Sequence, residues 1–255
     1  MPASATLFSA IAPESAGMPL YRMVKRELLR AIEGGQLPPG GAIPNETTLA
    51  ASFGVAIGTL RHAVGELVAE HILVRRQGRG TFVATHNADR FLFQFFHVER
   101  GDGLREVPQV ELLAFSRARL DDEAAAEALG LKPGDPVLCF ENRLLLQGRP
   151  VVHDRITVAA AMFKGLGEKR LAERGGTIYQ LYQSGFAITV VRAVERARAV
   201  AVDRASARVL GLAPGTPVMQ VHRTALTFGD KAVEYRVSTI HTALHHYVQT
   251  LSRRA

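Results

Sequence analysis

Between Leu20 and Glu33, apolar residues recur at helical spacing. Leu20, Met23, Val24, Leu28, Ala31 and Ile32 share one face, Arg22, Lys25, Arg26 and Arg30 lie largely off it, and Gly34 and Gly35 end the run. The stretch that follows, to Val83, predicts two short helices joined at Gly54. Ala50, four residues before that glycine, is small enough for close helix approach, and Leu60, six after it, is placed to lock the second helix onto the first. Leu49, Val55, Val64, Leu67 and Val68 complete the apolar side. ILVRR and GTFVA then read as two short strands around Gln77, Gly78, Arg79 and Gly80, whose glycines permit a tight turn with positive φ. Helix, helix, turn, helix and hairpin make a winged helix-turn-helix over residues 18–85.

The flanks differ in pattern. Residues 1–17, rich in Ala, Ser and Pro without periodicity, read as a mobile tail. Residues 86–104, with Phe91, Phe93, Phe95 and Phe96 among charges, read as a linker. Beyond it, residues 105–255 contain a repeat. The segment beginning at Ala128 matches that beginning at Val209 without a gap, at an offset of 81. Leu129, Gly130, Pro133, Gly134, Val152 and Arg155 recur as Leu210, Gly211, Pro214, Gly215, Val233 and Arg236. Each copy reads as a short helix, a Pro-Gly turn, a long strand, a tight turn and a returning strand. Two such units bury their apolar faces together most simply in one antiparallel sheet, related by a pseudo-twofold axis, with a cleft where they meet. The fold class is α+β.

Composition narrows the function. The 255 residues, 47% hydrophobic, suffice for two domains. No apolar run approaches the length of a membrane span and the start lacks a secretory pattern, so a cytoplasmic protein is expected. The one cysteine, Cys139, sits in an apolar run and reads as a core thiol. A net charge of +7 suits a polyanionic partner, but the excess is spread out: residues 20–83 hold eight Lys/Arg against five Asp/Glu. GxSxG, HExxH, phosphate-loop and dinucleotide glycine motifs are absent, so no cofactor is expected. His241, His245 and His246 lack a nearby Cys or acidic partner, and no metal site is expected.

The run from Leu20 to Val83, through PPG, IPNE, FGV, GTLR and RRQGRGTFV, resembles the DNA-binding domain of the GntR family. The pattern after residue 105, including GTIYQLY and AVEYRVS, resembles the UTRA effector domain of the HutC-type subgroup, a chorismate-lyase-like fold. The resemblance implies a homodimeric repressor that binds a double-stranded DNA operator and releases it when a small-molecule effector fills the second domain. On the DNA side it implicates Thr47, Ile57, Gly58, Thr59, Arg61, Arg75, Arg76, Gln77, Gly78, Arg79 and Gly80. This chain departs from the family where Ala56 and Ile57 replace a Ser/Thr-Arg pair and Thr47 replaces an arginine; Ile57 can still touch a thymine methyl.

For the effector, the resemblance implicates Thr177 and Tyr179 in a Ser-x-Tyr-like motif, with Arg143, Asp154, Glu234 and Arg236 on strands. Gly176 before Thr177 exposes backbone N–H groups that, with a helix dipole, suit a phosphate or carboxylate. The plainer reading of Thr177 is an N-cap, and surface salt bridges would account for Arg143 and Asp154. Two other functions stay open: a lyase-like enzyme using the C-terminal cleft, and a DNA-binding activator without a ligand.

Overall fold

The computed structural model describes residues 8–11, 17–86 and 91–249. It divides into two compact units, 1–85 and 86–255.

In the first unit, α1 (Leu20–Glu33), α2 (Glu46–Phe53) and α3 (Ile57–Ala69) precede a hairpin of β1 (Leu73–Arg76) and β2 (Gly80–Val83). Met23, Val24, Leu28, Ala31 and Ile32 of α1 are buried, and α1 packs on α3 through the side that carries Leu60, Ala63, Val64 and Leu67. Leu20 departs from the periodicity: at the first position of α1 it stays 42% exposed. Asn45 caps α2 by accepting the Thr48 N–H at 2.8 Å. Gly54 ends α2 in the left-handed region at φ 67°, a conformation a side chain would strain. Phe8–Ile11, within the expected mobile tail, pack on this unit, with Phe8 8% exposed.

The second unit is built on one six-stranded antiparallel sheet. Its strands are β4 (Gln109–Arg119), β5 (Pro136–Leu146), β6 (Arg149–Ala159), β7 (Arg192–Ala201), β8 (Pro217–Leu226) and β9 (Ala232–Ile240), in the order β4-β5-β6-β9-β8-β7. The two copies of the repeat thus supply the two halves, which meet at the β6–β9 ladder. Each copy also repeats its local chemistry. Asp122 caps α4 (Glu123–Leu129), Asp203 caps α7 (Arg204–Leu210), and Gly130 and Gly211 end these helices in the left-handed region. Both helices lie on one face of the sheet, where α4 closes over Val137 and Tyr235 and α7 over Val218. The opposite face carries the main core, in which Leu138, Phe140, Ile156 and Val221 meet α5 (Glu168–Ala172) and α6 (Ile178–Phe186).

Part of the segment expected to link the domains is built into this core. A π-helical turn, Phe91–Phe95, leads to β3 (Val98–Arg100), which pairs with β10 (His245–Tyr247). Phe95, Phe96 and Val98 are buried in the main core, which explains the aromatic density of the sequence there. The side chains of Phe91 and Phe93 and the whole of residues 87–90 lie outside the described residues.

The repeat is broken at one point. Arg155 and Arg236 match in sequence, but Arg155 stands opposite Glu141 whereas Arg236 stands opposite Arg223, one residue beyond the counterpart of Glu141. Successive strand residues point to opposite faces, so this single step sends the two arginines to opposite sides of the sheet. The Arg155 side chain is 43% exposed; that of Arg236 is 5% exposed and enters the core face.

Candidate DNA and effector sites

All the positions implicated in DNA contact lie in the first unit. Thr47 is exposed on α2, Ile57, Gly58 and Arg61 are exposed on α3 and Thr59 is half-buried there, while Arg75 to Gly80 form the exposed wing. Ala56 occupies the N-cap of α3 and offers no side-chain hydrogen bond, so the helix start is left to its backbone. A Cβ placed on Gly58 would meet nothing within 4 Å, and the surface there is open. Glu46, at the start of α2, organises the cations. Its carboxylate takes the Arg61 Nε–H at 2.7 Å and lies 3.8 Å from Arg75. Arg76 stacks over the Phe82 ring at 4.9 Å, fixing it against the wing.

In the second unit, a cavity of about 380 Å³ opens above β5, β6 and β9, a volume suited to a small metabolite. Asn142, Asp154 and Arg236 form its floor, Arg174, Gly176 and Thr177 one wall, and Val107, Pro108 and Val110 another. Of the implicated residues, Asp154, Gly176, Thr177 and Arg236 therefore come together.

Thr177 caps α6 by accepting the Gln180 N–H at 3.2 Å. Its hydroxyl is occupied as the plainer reading predicted, yet the residue still lines the cavity. A Cβ on Gly176 would lie 2.2 Å from Gln180 Oε1, the far end of an exposed side chain that is free to move aside.

Tyr179 and Glu234 lie beneath this cavity rather than on its wall. Both are fully buried, and Glu234 accepts hydrogen bonds from Tyr179 at 3.2 Å, Tyr182 at 2.7 Å and Arg236 at 3.0 and 3.1 Å. Both carboxylate oxygens are engaged, so a direct Glu234 contact with effector would require breaking this network. Burial and then Glu234 push the Tyr179 phenol up to about 12 and Tyr182 well above its ordinary value, which keeps both as donors. Arg236 reaches across to Asp154 at 3.0 Å, and Asp154 also takes the Ser238 hydroxyl at 2.5 Å. Burial alone would lower the Arg236 pKa, but Glu234 and Asp154 hold it well above normal.

Arg143 does not line the cavity. It neighbours Asn142 on β5 and so points to the other face, where it pairs with Glu111 at 2.7 Å. The residue alternation of the strand gives the reason: Asn142, not Arg143, shares a face with Asp154.

Two residues not singled out from the sequence complete the site. Arg174 is half-buried on the cavity wall, donates to the Leu171 carbonyl, and has no carboxylate within ion-pair distance among the described residues. Burial, then the like charge of Arg236, lowers its pKa. Asn142 is 3% exposed and its Oδ1 has no hydrogen-bond partner among the described residues. A buried carbonyl of this kind normally finds a donor. The signal for Arg174 was its place directly before Gly175-Gly176-Thr177; nothing in the one-dimensional pattern marked Asn142.

Residues 20–83 match the bacterial regulatory proteins of the gntR family, and residues 103–246 match the UTRA domain. The chain is 27% identical to the probable fructoselysine utilization operon transcriptional repressor of Escherichia coli K12, over 84% of this chain and 87% of that protein. It is 30% identical to an HTH-type transcriptional regulator of Mycobacterium tuberculosis, over 86% of this chain and 80% of that protein. Its fold is similar to the crystal structure of the ligand-binding domain of a GntR-family regulator from Bordetella bronchiseptica. There the TM-score is 0.58 at 30% identity, covering 63% of this chain and 98% of that one.

Proposed function

The chain belongs to the GntR family of bacterial regulatory proteins and carries a UTRA domain, and we propose that it is a repressor released from its operator when a small organic anion fills the cavity at the start of α6. As a member of that family it is a transcriptional regulator rather than an enzyme: it binds DNA through its first unit and a small effector through its second.

The observation that carries the anion is Arg174. A half-buried guanidinium with no carboxylate partner among the described residues, beside the N-terminus of α6, is a site that an anionic group would complete. Asn142 Oδ1, on the floor, favours a ligand that also brings a hydrogen-bond donor such as a hydroxyl or amine. Asp154 and Arg236 would fix its orientation, while Tyr179 and Glu234 support Arg236 from below. On the DNA side, Ile57, Gly58, Thr59 and Arg61 would enter the major groove, the Arg79 turn would approach the adjacent backbone or minor groove, and Thr47, Arg75 and Arg76 would hold phosphates. A second copy of the chain would supply the other half-site. Among the described residues no helix is long and apolar enough to cross a membrane.

The test is a thermal-shift screen of sugar phosphates, organic acids and amino-acid derivatives against wild type, Arg174→Gln and Asn142→Ala. An anionic hit should lose at least tenfold in affinity in Arg174→Gln, and hits bearing a donor should weaken in Asn142→Ala. A hit that dissociates the protein from DNA yet binds both variants as tightly as wild type places the effector elsewhere.

A further inference from the structure

The DNA-binding unit includes more chain than the family match at residues 20–83. The α2 helix ends at Phe53, and like any helix it leaves its last carbonyls without partners inside the helix. The Gly54 N–H serves Ala50 and Ala51, and the Val55 N–H also returns to Ala50. The Phe53 carbonyl is served from outside: the Ile11 N–H donates to it at 2.9 Å. The Phe8 ring packs on the Phe53 ring at a centroid distance of 4.6 Å, and Phe53 is 1% exposed. Between these residues the arm passes over the turn itself, with the Ala10 Cβ 3.5 Å from the place a Cβ on Gly54 would occupy. A cavity of about 550 Å³ remains between the arm and α1, lined by Met23, Arg26, Arg30 and Phe53, so the arm is held at Phe8 and Ile11 rather than along its length.

From these contacts we infer that Phe8–Ile11 form an arm that braces the turn of the helix-turn-helix, and that Phe8 is a positioning residue for α3 in operator recognition. The turn is where α2 and α3 take their relative orientation, and α3 is anchored on its other side by α1. Phe8 closes the one aromatic residue of α2 from water, and Ile11 fixes the helix end at the residue adjoining Gly54. Without the arm the end of α2 is free to shift. Base contacts from α3 depend on placement within fractions of an ångström, whereas phosphate contacts tolerate such a shift.

The experiment uses the full chain with the tightest duplex recovered by in vitro selection from a random library, and a scrambled duplex of the same length. Wild type, Phe8→Ala and Phe8→Leu are compared at a temperature where circular dichroism shows each fully folded. Phe8→Ala should lose at least fivefold in affinity for the selected duplex with little change on the scrambled one, and Phe8→Leu should recover most of the loss. Amide exchange at residues 53–56 should rise in Phe8→Ala. If the melting temperature falls while both affinities stand, or both duplexes weaken equally, the arm does not position α3 and the inference is overturned. Should Phe8→Ala be unfolded at the assay temperature, the milder truncation Phe8→Val takes its place and is judged by the same two affinities, with a selective loss of at least threefold expected.

Discussion

Glu46 holds a carboxylate where DNA phosphates would lie if α3 enters the groove, and it engages both Arg61 and Arg75. In the free protein it keeps these cations ordered; on DNA, with Arg61 at the bases and Arg75 at a phosphate as proposed, it would compete with the duplex for both. Glu46→Gln should therefore tighten binding to any duplex roughly three- to tenfold and steepen its salt dependence. Arg61→Ala should cost about 1–3 kcal/mol at a selected site and little on a scrambled duplex. Anisotropy titrations at two salt concentrations read both, and weaker binding by Glu46→Gln would instead make Glu46 a positioning group for Arg61. In the second unit the decisive residue is Glu234, whose carboxylate satisfies two phenols and one guanidinium with no exposure to water. Glu234→Gln turns one acceptor into a donor facing donors and leaves Arg236 with Asp154 alone. The expected loss is about 3 kcal/mol of stability, the scale for breaking a buried pair. Urea denaturation of the second unit checks it, and a loss below about 1 kcal/mol would show that water or rearrangement replaces the carboxylate.

At the scale of elements, α6 joins the cavity to the segment that follows the DNA-binding unit in the chain. Its first turn lines the cavity, while Tyr179 packs on Phe95 at 4.9 Å and Gln183 Oε1 accepts the His86 N–H at 3.0 Å. Arg223, opposite Arg236 in the ladder, donates to the Phe95 carbonyl at 2.5 Å. An effector that moved the start of α6 would act on His86 and Phe95 through these contacts, and a tenfold release from operator needs only about 1.4 kcal/mol of coupling. Gln183→Leu should keep wild-type affinity for a confirmed effector and for DNA separately, yet shrink the effector-induced loss of operator affinity several-fold. Unchanged release would exclude this route. The elements themselves were legible in the sequence: the helical face of α1, Gly54 between α2 and α3, the wing, and the repeat that became the two halves of the sheet all follow from periodicity and turn chemistry. The site was legible only in part. A gapless repeat equated Arg155 with Arg236, but a one-residue difference in ladder register, set at the turns where Leu146 pairs with Arg149 but its counterpart Thr227 bonds Lys231, decides which face each one joins. The same alternation separates Arg143 from Asn142. Pattern locates a strand; only cross-strand pairing tells which of two neighbouring residues sees the ligand.

For the whole molecule, the six-stranded sheet poses a problem that one chain leaves unsolved. Its outer strands, β4 with 11 residues and β7 with 10, each have an edge with no strand partner among the described residues, and both carry exposed apolar residues: Leu113 on β4 and Val194 on β7 are each 39% exposed. Long, apolar, unpaired edges invite association and are normally blunted by charge, by shortness or by a cover. Arg196 and Arg198 supply some charge on β7, but Val194 and the apolar stretch of β4 remain. A regulator that reads a two-part operator needs a second copy, because one recognition helix distinguishes too few base pairs against a genome. A dimer formed through these edges of the second unit answers both needs. Sedimentation of the full chain should give a dimer at micromolar concentration, residues 86–255 alone should do the same, and Leu113→Lys with Val194→Lys should shift both toward monomer. Operator affinity should fall together with dimerisation in that double variant, while binding to a scrambled duplex, which needs only the phosphates under one winged helix, should change little. A wild-type chain that sediments as a monomer at tens of micromolar, or a double variant that dimerises as tightly as wild type, would remove the sheet edges from the assembly.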